Sequence, residues 1–455
     1  MSGNAIVRLA RDTAILLGVL WVAFIALQWA GAAVPDRAIA QQLTASIEQG
    51  LYERSYPPNG VGGKHDAYTD CVVAGTGLGE ESMSAWERGL LVPRISSCTN
   101  GGVEQIRALA RGEDVEHHLY LRYWAGYTVL FRPALALGGM AAMNAVSLFA
   151  LACALFAMWW VLSRRTSPLV AAALTLPLLG TSDVLVTPGG SAEHALSLAT
   201  AFAGVALAAW ASTRGLPALF LAAVAAGAVF NFFDLLNNPN LAWVLTAAAG
   251  PLCVAFRGGT PRRMALAALS GAAGWMIGFA AAFVQRWTTA ALAAGPDAAL
   301  KQVVENVAVR SGLADRPDDT VVRGLGQGTW ANLAYYADMP LARVAAVAVV
   351  VAIIALLFVA ARRSGARAIW MFATAALPAA VVPLWYEVMT NHSQIHSFFM
   401  YRAVPAAIGV VLAAAITALV VTRTAVEGQA PTRRAARDRT RASRRAARLG
   451  PAGEV

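Results

Sequence analysis

The sequence is poor in charged residues and in cysteine, and both shortages limit what the protein can be. Charged residues make up 14% of the 455 residues and hydrophobic residues 58%, a balance that excludes an ordinary soluble domain. The alternating pattern of a transmembrane β-barrel is absent. The four cysteines show no CxxC spacing of a zinc site. Without a GxSxG or an HExxH motif, the chain gives no support to a serine-elbow nucleophile or a zinc protease.

What the sequence does contain is a series of apolar runs of membrane-spanning length. Because a helix satisfies its own backbone in lipid, these runs predict an all-α polytopic membrane protein with about ten transmembrane helices in residues 1–422. The first run is interpreted as an uncleaved helix, since it is longer than a signal-peptide core. The predicted spans are Thr13–Ala33, Ala141–Leu162, Pro168–Leu179, Ala195–Ser212, Pro217–Phe233, Leu241–Phe256, Met264–Val284, Leu341–Ala361, Ala368–Trp385 and Ala403–Val421.

The distribution of arginine predicts the orientation of these helices. Alternate short connections are basic, at Arg164/Arg165, Arg214, Arg257/Arg262/Arg263 and Arg362/Arg363/Arg367. The positive-inside rule then places both termini in the cytoplasm of a multi-pass protein of the plasma membrane. Two large loops, about 34–140 and 285–340, fall on the extracytoplasmic side, and Leu119–Gly139 becomes an interfacial or re-entrant segment of the first loop.

Most of the net charge of +10 lies in residues 421–455, where nine arginines face Glu427, Asp438 and Glu454. A basic cytoplasmic tail over 423–455, disordered or helical at the membrane surface, is predicted from this composition. Anionic membrane lipids explain such a tail better than nucleic acid, which is not an expected partner.

The predicted extracytoplasmic face collects all six histidines. It also holds Cys71 and Cys98, which an oxidising compartment would allow to form a disulfide worth about 3 kcal/mol in the chain-entropy model. Cys153 and Cys253 fall inside spans and are expected to be small packing residues. Any chemistry is therefore expected on the outer face.

The connection Tyr386–Arg402, YEVMTNHSQIHSFFMYR, is the most polar short segment between two spans. Ionisable groups beside a membrane are costly, and they usually mark function. His392 and His396 would lie one turn apart on a helix, where hydrogen bonding to a phosphate or sugar is favoured over a zinc pair. We expect substrate-binding roles for Glu387, Asn391, His392, His396 and Arg402, and no resident metal site.

The first outer loop supplies the candidate catalytic carboxylates. Asp66 and Asp70 lie four residues apart in KHDAYTD, where either one suits a general base or a ligand of a divalent cation (Mg²⁺ or Mn²⁺) beside a phosphate. Asp36, directly after the first span, is a further candidate. The alternative is that these carboxylates cap turns and helices.

Further substrate-binding candidates lie in three other outer segments. The aromatic stretch YLRYWAGYTVLFRP suits stacking on a sugar and binding of a lipid-linked phosphate, although an interfacial aromatic belt has the same composition. Two short loops bring acids to span entrances, where simple capping is the alternative. The candidates are Tyr123, Trp124, Arg132, Glu193, His194 and Asp234.

The layout of residues 1–422 resembles the GT-C class of membrane glycosyltransferases. The blocks DAYTD, RYWAGYTVLFRP, FFDLLNNP and NHSQIHSFFMYR are also similar to those of uncharacterised bacterial envelope proteins. The resemblance implies a polyprenyl-phosphate sugar donor, an early carboxylate in the first outer loop as catalytic residue, and an envelope glycan, lipid or protein as acceptor. The Ala- and Arg-rich composition suits a high-GC actinobacterium. For such an organism, the resemblance implies decaprenyl-phosphate arabinose or mannose as the sugar donor.

Sugar transfer is therefore the leading functional hypothesis. A transporter or flippase of lipid-linked saccharide is the first alternative, but few charges lie within the spans and no internal repeat is evident. A non-catalytic scaffold of an envelope complex is the second.

Overall fold

The computed structural model describes residues 3–52, 55–80, 82–95, 102–314 and 321–422. Helices dominate it, and a single two-stranded sheet is found within those ranges. The helices are α1 (Gly3–Ala32), α2 (Asp36–Glu48), α3 (Ala67–Ala74), α4 (Ala85–Leu91), α5 (Gly102–Arg111), α6 (Thr128–Arg165), α7 (Pro168–Thr181), α8 (Ala192–Ser212), α9 (Leu216–Phe233), α10 (Pro239–Phe256), α11 (Pro261–Ala294), α12 (Pro296–Arg310), α13 (Gln327–Asp338), α14 (Ala342–Ser364), α15 (Ala366–Ala376), α16 (Val381–Val388), α17 (Thr390–Ile395) and α18 (Ser397–Met400).

Nine helices in the described part of the chain are long and apolar enough to cross a membrane. They are α1, α6, α8, α9, α10, α11, α14, the segment Ala366–Val388 and a last span, Ser397–Thr422. A 3₁₀ turn at Leu377–Ala380 joins α15 to α16 within Ala366–Val388. This architecture confirms the prediction of an all-α polytopic membrane protein.

The predicted span Pro168–Leu179 is the shorter helix α7, which has 14 residues. At 1.5 Å per residue it is about 21 Å long, less than the ~30 Å of a typical hydrocarbon core. The described residues contain nine helices of spanning length and one shorter apolar helix, α7. Whether α7 is a tenth span therefore stays a prediction.

Helix α6 is bent where the sequence predicts the boundary between an outer segment and a span. Gly138 and Gly139 have non-helical backbone angles, and Gly139 has φ +59°. A Cβ on Gly139 would lie 2.2 Å from Ser46 Oγ of α2, so the crossing of the two helices requires glycine. Ser46 Oγ in turn accepts a 3.1 Å hydrogen bond from Met140 N.

The remaining elements belong to the two large loops and the short connections. Strand β1 (Pro93–Ile95) pairs with β2 (His117–Leu119) in antiparallel register, with Arg94 opposite His118. A 3₁₀ helix, Val184–Gly189, lies between α7 and α8. The predicted tail 423–455 and the predicted disulfide partner Cys98 lie outside the described residues.

Glycines allow α9 and α11 to cross at backbone contact. A Cβ on Gly278 would lie 1.9 Å from Val224 O, and one on Gly227 would lie 2.0 Å from Trp275 O. Small residues at such crossings are typical of membrane helix pairs, because association there depends on close packing.

Gly278→Ala is expected to destabilise the protein by about 1–3 kcal/mol, since the two helices must separate to admit the methyl group. The thermal midpoint of the detergent-solubilised protein measures the effect. Gly18→Ala is the matched control, because a Cβ at Gly18 of α1 meets nothing within 4 Å. An equal midpoint for both variants would contradict the inferred crossing.

Three spans end in an aromatic residue stacked against an arginine four positions later. The guanidinium carbon lies 4.5 Å from the ring centroid for Arg164 on Trp160, 3.3 Å for Arg214 on Trp210 and 4.7 Å for Arg362 on Phe358. Such pairs are suited to a membrane–water interface. They lie at the ends that the arginine distribution assigns to the cytoplasm, an orientation that stays a prediction.

Candidate functional site

A row of four buried side chains joins segments that are far apart in the sequence. The Arg402 guanidinium forms a two-point ion pair with Asp183, with Nε–Oδ1 at 2.6 Å and Nη2–Oδ2 at 2.9 Å. Arg402 Nη1 also contacts His194 Nδ1 at 2.9 Å, and His194 Nε2 lies 3.2 Å from Asp66 Oδ2. Each of the four is at most 2% exposed. The loop between α1 and α6, the α7–α8 connection, α8 and the last span therefore meet at one end of the helix bundle.

Asp183 is fixed from every side in this row. Tyr401 OH donates to Oδ1 at 2.8 Å and Asn59 Nδ2 donates to Oδ2 at 3.0 Å. Burial opposes ionisation of Asp183, but the charge and hydrogen bonds of Arg402 prevail and hold its pKa below the usual range.

Asp66 is the N-cap of α3. Its side chain accepts hydrogen bonds from Thr69 N at 2.9 Å and Thr69 Oγ1 at 2.8 Å, while its backbone N donates to Ser191 Oγ at 2.7 Å. Burial alone would raise the pKa of Asp66, but the interaction with His194 and the Thr69 hydrogen bonds outweigh it and lower that pKa. Asp66 is therefore ionised at neutral pH.

Asp70, the other candidate in the same motif, is turned toward the start of α8. Its carboxylate accepts hydrogen bonds from Ala192 N at 2.7 Å and Glu193 N at 3.1 Å, so it caps that helix from another segment. Burial raises the pKa of Asp70 to about 7, against the opposing effect of the two amides.

Glu193 and Asp234 lie beside Asp70 in a second group of buried polar residues. Asn237 Nδ2 donates to Glu193 Oε2, and Ser197 Oγ donates to Asp234 Oδ1. Asp234 also accepts hydrogen bonds from the backbone N of Leu236 and Asn237, which close a turn at the end of α9. Burial raises the pKa of Asp234 to about 6, although these hydrogen bonds oppose the shift.

A polar cavity of about 270 Å³ opens beside Asp66. Three arginines, three tyrosines and two histidines contribute to its walls, and Asp66 is the carboxylate among its lining residues. The lining is formed by Tyr56, Asp66, Tyr68, Thr69, Val72, Arg94, Tyr120, Arg122, Leu235, Asn237, Arg310, His392, His396 and Phe399. This set is called the polar cavity below.

The arginines of the polar cavity carry an uncompensated positive charge. Among the described residues, no carboxylate forms an ion pair with Arg94, Arg122 or Arg310. Arg94 and Arg122 lie over the ring of Tyr120 at 5.2 and 5.0 Å, and Arg310 donates through Nε to Asn306 Oδ1. Three guanidiniums converging on one cavity are suited to binding a phosphate or another anion.

His392 has both ring nitrogens engaged. Nε2 lies 2.7 Å from the carbonyl oxygen of Leu236, and Nδ1 contacts Nη1 of Arg310. Burial, the charge of Arg310 and the neighbouring His396 lower the pKa of His392 well below its usual value. A neutral ring in this setting donates through Nε2 and accepts through Nδ1, which leaves no lone pair for a metal.

No group of three metal-ligating side chains is present in the described part of the chain. The divalent cation considered from the sequence therefore stays a prediction, for which Asp66 would be the ligand that the polar cavity offers.

Comparison of the chain with protein-family models, curated proteins and solved structures finds no match. Function must therefore be inferred from the cavity and its chemistry.

Asp36 and Arg132, predicted as a catalytic carboxylate and a phosphate ligand, instead pair with each other. Arg132 Nη2 lies 2.6 Å from Asp36 Oδ1, and Arg88 Nη1 lies 2.9 Å from the same oxygen. Arg132 also donates to the carbonyls of Gly31 and Val34 at the end of the first span. Neither Asp36 nor Arg132 lines the polar cavity, since folding brings them to the junction of α1, α4 and α6.

Four other sequence candidates also lie outside the cavity lining. Glu387 caps α13 by accepting from the backbone N of Gly326 and Thr329. Trp124 donates through Nε1 to Ala282 O and packs against the stacked rings of Phe24 and Phe232. Tyr123 and Asn391 are buried; Tyr123 OH accepts a hydrogen bond from Asn306 Nδ2, and Asn391 adjoins Gly312.

Of the fourteen residues predicted as catalytic or substrate-binding, folding brings Asp66, His392 and His396 directly to the polar cavity. A buried polar network lies behind the cavity lining and includes five more of the candidates: Asp70, Glu193, His194, Asp234 and Arg402. Arg94 and Arg310, which line the cavity, were not predicted, because one lies in a three-residue strand and the other at the end of an ordinary helix. Neither position carries a local sequence signal.

Cys71 is buried in the first loop, with Sγ 2.7 Å from Tyr52 OH. Because Cys98 lies outside the described residues, the Cys71–Cys98 disulfide stays a prediction. Cys153 and Cys253 are free thiols within spans. Cys253 is buried, which confirms the predicted packing role, whereas Cys153 is exposed on the surface of α6, so the packing role predicted for it is wrong.

Proposed function

We propose that the protein is a membrane glycosyltransferase that moves a sugar from a polyprenyl-phosphate donor to a cell-envelope acceptor. The observation that carries the proposal is the composition of the polar cavity, where three arginines that form no ion pair within the described part of the chain line the same space as the ionised Asp66. The arginines suit the phosphate of the donor, and the aspartate suits the acceptor hydroxyl.

Arg94, Arg122 and Arg310 are proposed to bind the phosphate that links the sugar to the lipid. In the reaction the bond between the anomeric carbon and the phosphate oxygen breaks, and the lipid phosphate leaves with the electron pair. Guanidiniums already in place stabilise that developing charge without reorganisation. The aromatic faces of Tyr56, Tyr68 and Tyr120 line the same space and suit packing against the sugar ring.

Asp66 is proposed as the general base. It takes the proton of the acceptor hydroxyl while the acceptor oxygen forms the new bond to the anomeric carbon. A double displacement would need a second carboxylate about 5 Å away as nucleophile. Because Asp66 is the carboxylate of the cavity lining, direct displacement with inversion is the favoured course. Asp36 and Asp70 are assigned supporting roles.

An apolar groove of about 400 Å³ is a further observation in favour of a lipid-linked donor. It lies between α13, α14, α16 and the last span, and its lining includes Val350, Ile353, Val382, Tyr386 and Val404. The connection from α16 to the last span also supplies His392, His396 and Phe399 to the polar cavity. A donor with an anionic head and an isoprenoid tail matches the polarity of the cavity and of the groove, respectively.

The orientation from the arginine distribution places the polar cavity at the extracytoplasmic face of the plasma membrane. Arabinose or mannose on decaprenyl phosphate, implied by the resemblance to GT-C enzymes, are the first donors to test. An envelope glycan, lipid or protein is the expected acceptor class.

Transfer from a radiolabelled polyprenyl-phosphate sugar in membranes containing the protein is the direct test. Arg122→Gln and Arg310→Gln are each expected to lower kcat/KM about 10- to 100-fold, because each removes a charge-assisted hydrogen bond of about 1.5–3 kcal/mol. Arg343→Gln is the control, since Arg343 pairs with Asp338 at an exposed site. Absence of transfer with every donor, or unchanged kinetics in both arginine variants, would reject this function and leave transport or scaffolding.

A further inference from the structure

Three buried residues stand behind Asp66 without lining the polar cavity. Asp183, Arg402 and His194 form a continuous row, and no member of it has a surface in the cavity. Burying this many ionisable groups beside a membrane is costly unless each has a defined partner. The position of His194 between Arg402 and Asp66 determines which of its ring nitrogens carries the proton.

The proton on His194 is fixed by its two neighbours. An arginine guanidinium can only donate, so Nδ1 of His194, 2.9 Å from Arg402 Nη1, must be the acceptor and carry no proton. A neutral imidazole then carries its single proton on Nε2. Nε2 forms no regular hydrogen bond in the structure, and Asp66 Oδ2, 3.2 Å away, is the carboxylate oxygen beside that proton.

We infer that Arg402 is a positioning residue that sets the tautomer of His194, and that His194 thereby keeps Asp66 oriented and ionised. Asp183 holds Arg402 through both carboxylate oxygens, which fixes the guanidinium plane. Phe399 packs against the edge of the His194 ring, 4.8 Å between centroids, and limits its rotation. The base role of Asp66 in this inference rests on the proposed function, whereas the tautomer of His194 does not.

The row also determines what His194 cannot do. To receive a second proton it would need a free Nδ1, but Arg402 occupies that nitrogen. The proton taken from the acceptor hydroxyl therefore stays on Asp66 until it leaves through the cavity. This arrangement differs from a catalytic triad, in which the imidazole itself accepts the proton.

The tautomer can be measured on the wild-type protein without any substrate. In a ¹⁵N-histidine spectrum of the protein in nanodiscs, the His194 signals, assigned through loss in His194→Gln, are expected to show a protonated Nε2 and an unprotonated Nδ1. A protonated Nδ1, or a doubly protonated ring at neutral pH, would overturn the inference. The tautomer measurement does not depend on whether sugar transfer is detected.

The second test compares two amides at position 194. The side-chain nitrogen of glutamine reaches the place of Nε2 and can still donate to Asp66, whereas asparagine reaches only the place of Nδ1. His194→Gln is therefore expected to keep at least tenfold more transfer than His194→Asn. The acid limb of the pH profile should move to higher pH in His194→Asn alone, because loss of a donor to the charged form raises the pKa of Asp66.

The pH shift must be interpreted together with the other charged or titratable groups near Asp66. Those behind it are Asp70, Glu193 and Arg402, and those that line the polar cavity with it are Tyr56, Tyr68, Arg94, Tyr120, Arg122, Arg310, His392 and His396. His118→Asn, at an exposed position of β2, is the matched control and should leave the profile unchanged. Equal activity of the two amide variants, or an unmoved acid limb in His194→Asn, would overturn the positioning role. If wild-type protein transfers no sugar, the proposed function fails while the spectrum still decides the tautomer.

Discussion

Asp66→Asn is expected to lower the turnover of sugar transfer by about 10²- to 10⁴-fold, the usual contribution of a positioned general base. Asparagine keeps the size of the side chain and its acceptor oxygen, so the hydrogen bond from Thr69 N that begins α3 can persist. It cannot take up the acceptor proton. The loss should therefore appear in kcat, with little change in the KM for the donor, whose phosphate is held by arginines on other segments.

Two further carboxylate variants sharpen this result. Asp338→Asn is the control, because Asp338 is an exposed residue of α13. Asp70→Asn should mainly lower stability, since Asp70 caps α8 through Ala192 N and Glu193 N. Full turnover in Asp66→Asn together with loss of turnover in folded Asp70→Asn would transfer the base role to Asp70.

Asp183→Asn is expected to destabilise the protein by about 3–5 kcal/mol, the cost of leaving one member of a buried ion pair without its partner. Arg402 is 1% exposed, so its charge cannot turn to water when the carboxylate is removed. Tyr401 and Asn59 remain nearby, but both act as donors to Asp183 and offer Arg402 no replacement charge. The thermal midpoint in detergent, measured by tryptophan fluorescence, reports the loss.

The double variant Asp183→Leu/Arg402→Met separates the cost of an unpaired charge from the value of the pair. It removes both charges and should be less destabilising than Asp183→Asn. Removing the exposed Asp338–Arg343 pair should change stability by about 1 kcal/mol or less. An Asp183→Asn midpoint as high as that of the surface variant would show that the buried pair does not hold these segments together.

The architecture could be predicted from the sequence because a bilayer imposes a one-dimensional rule. A helix must be apolar over the hydrocarbon thickness, so runs such as Ala195–Ser212 and Leu241–Phe256 correspond closely to α8 and α10. The bend of α6 at Gly138 and Gly139 was not predicted, although it lies at the boundary between the predicted outer segment and the predicted span. Helix α7 is shorter than a full span, because an apolar run of its length does not specify whether the helix crosses fully.

The types of residue in the site could be predicted from the sequence, but which arginine pairs with which carboxylate could not. The histidines and acids concentrated in the connections between spans include residues that meet in the fold, such as Asp66 and His194, which Arg402 joins. Which arginine remains available for a ligand was not predictable, since Arg132 and Arg402 look in the sequence like Arg122. Arg132 pairs with Asp36 and Arg402 pairs with Asp183, whereas Arg122 pairs with no carboxylate in the ranges that the structure describes.

The sequence by itself determined a polytopic helical protein with its ionisable groups gathered in the connections between spans. Only the tertiary structure decided that Arg94 from a short strand, Arg122 from the aromatic stretch and Arg310 from α12 share one cavity with Asp66. The physical reason is range: hydrophobicity acts on each segment separately, whereas the partner of a charge depends on atoms within about 4 Å that other segments contribute.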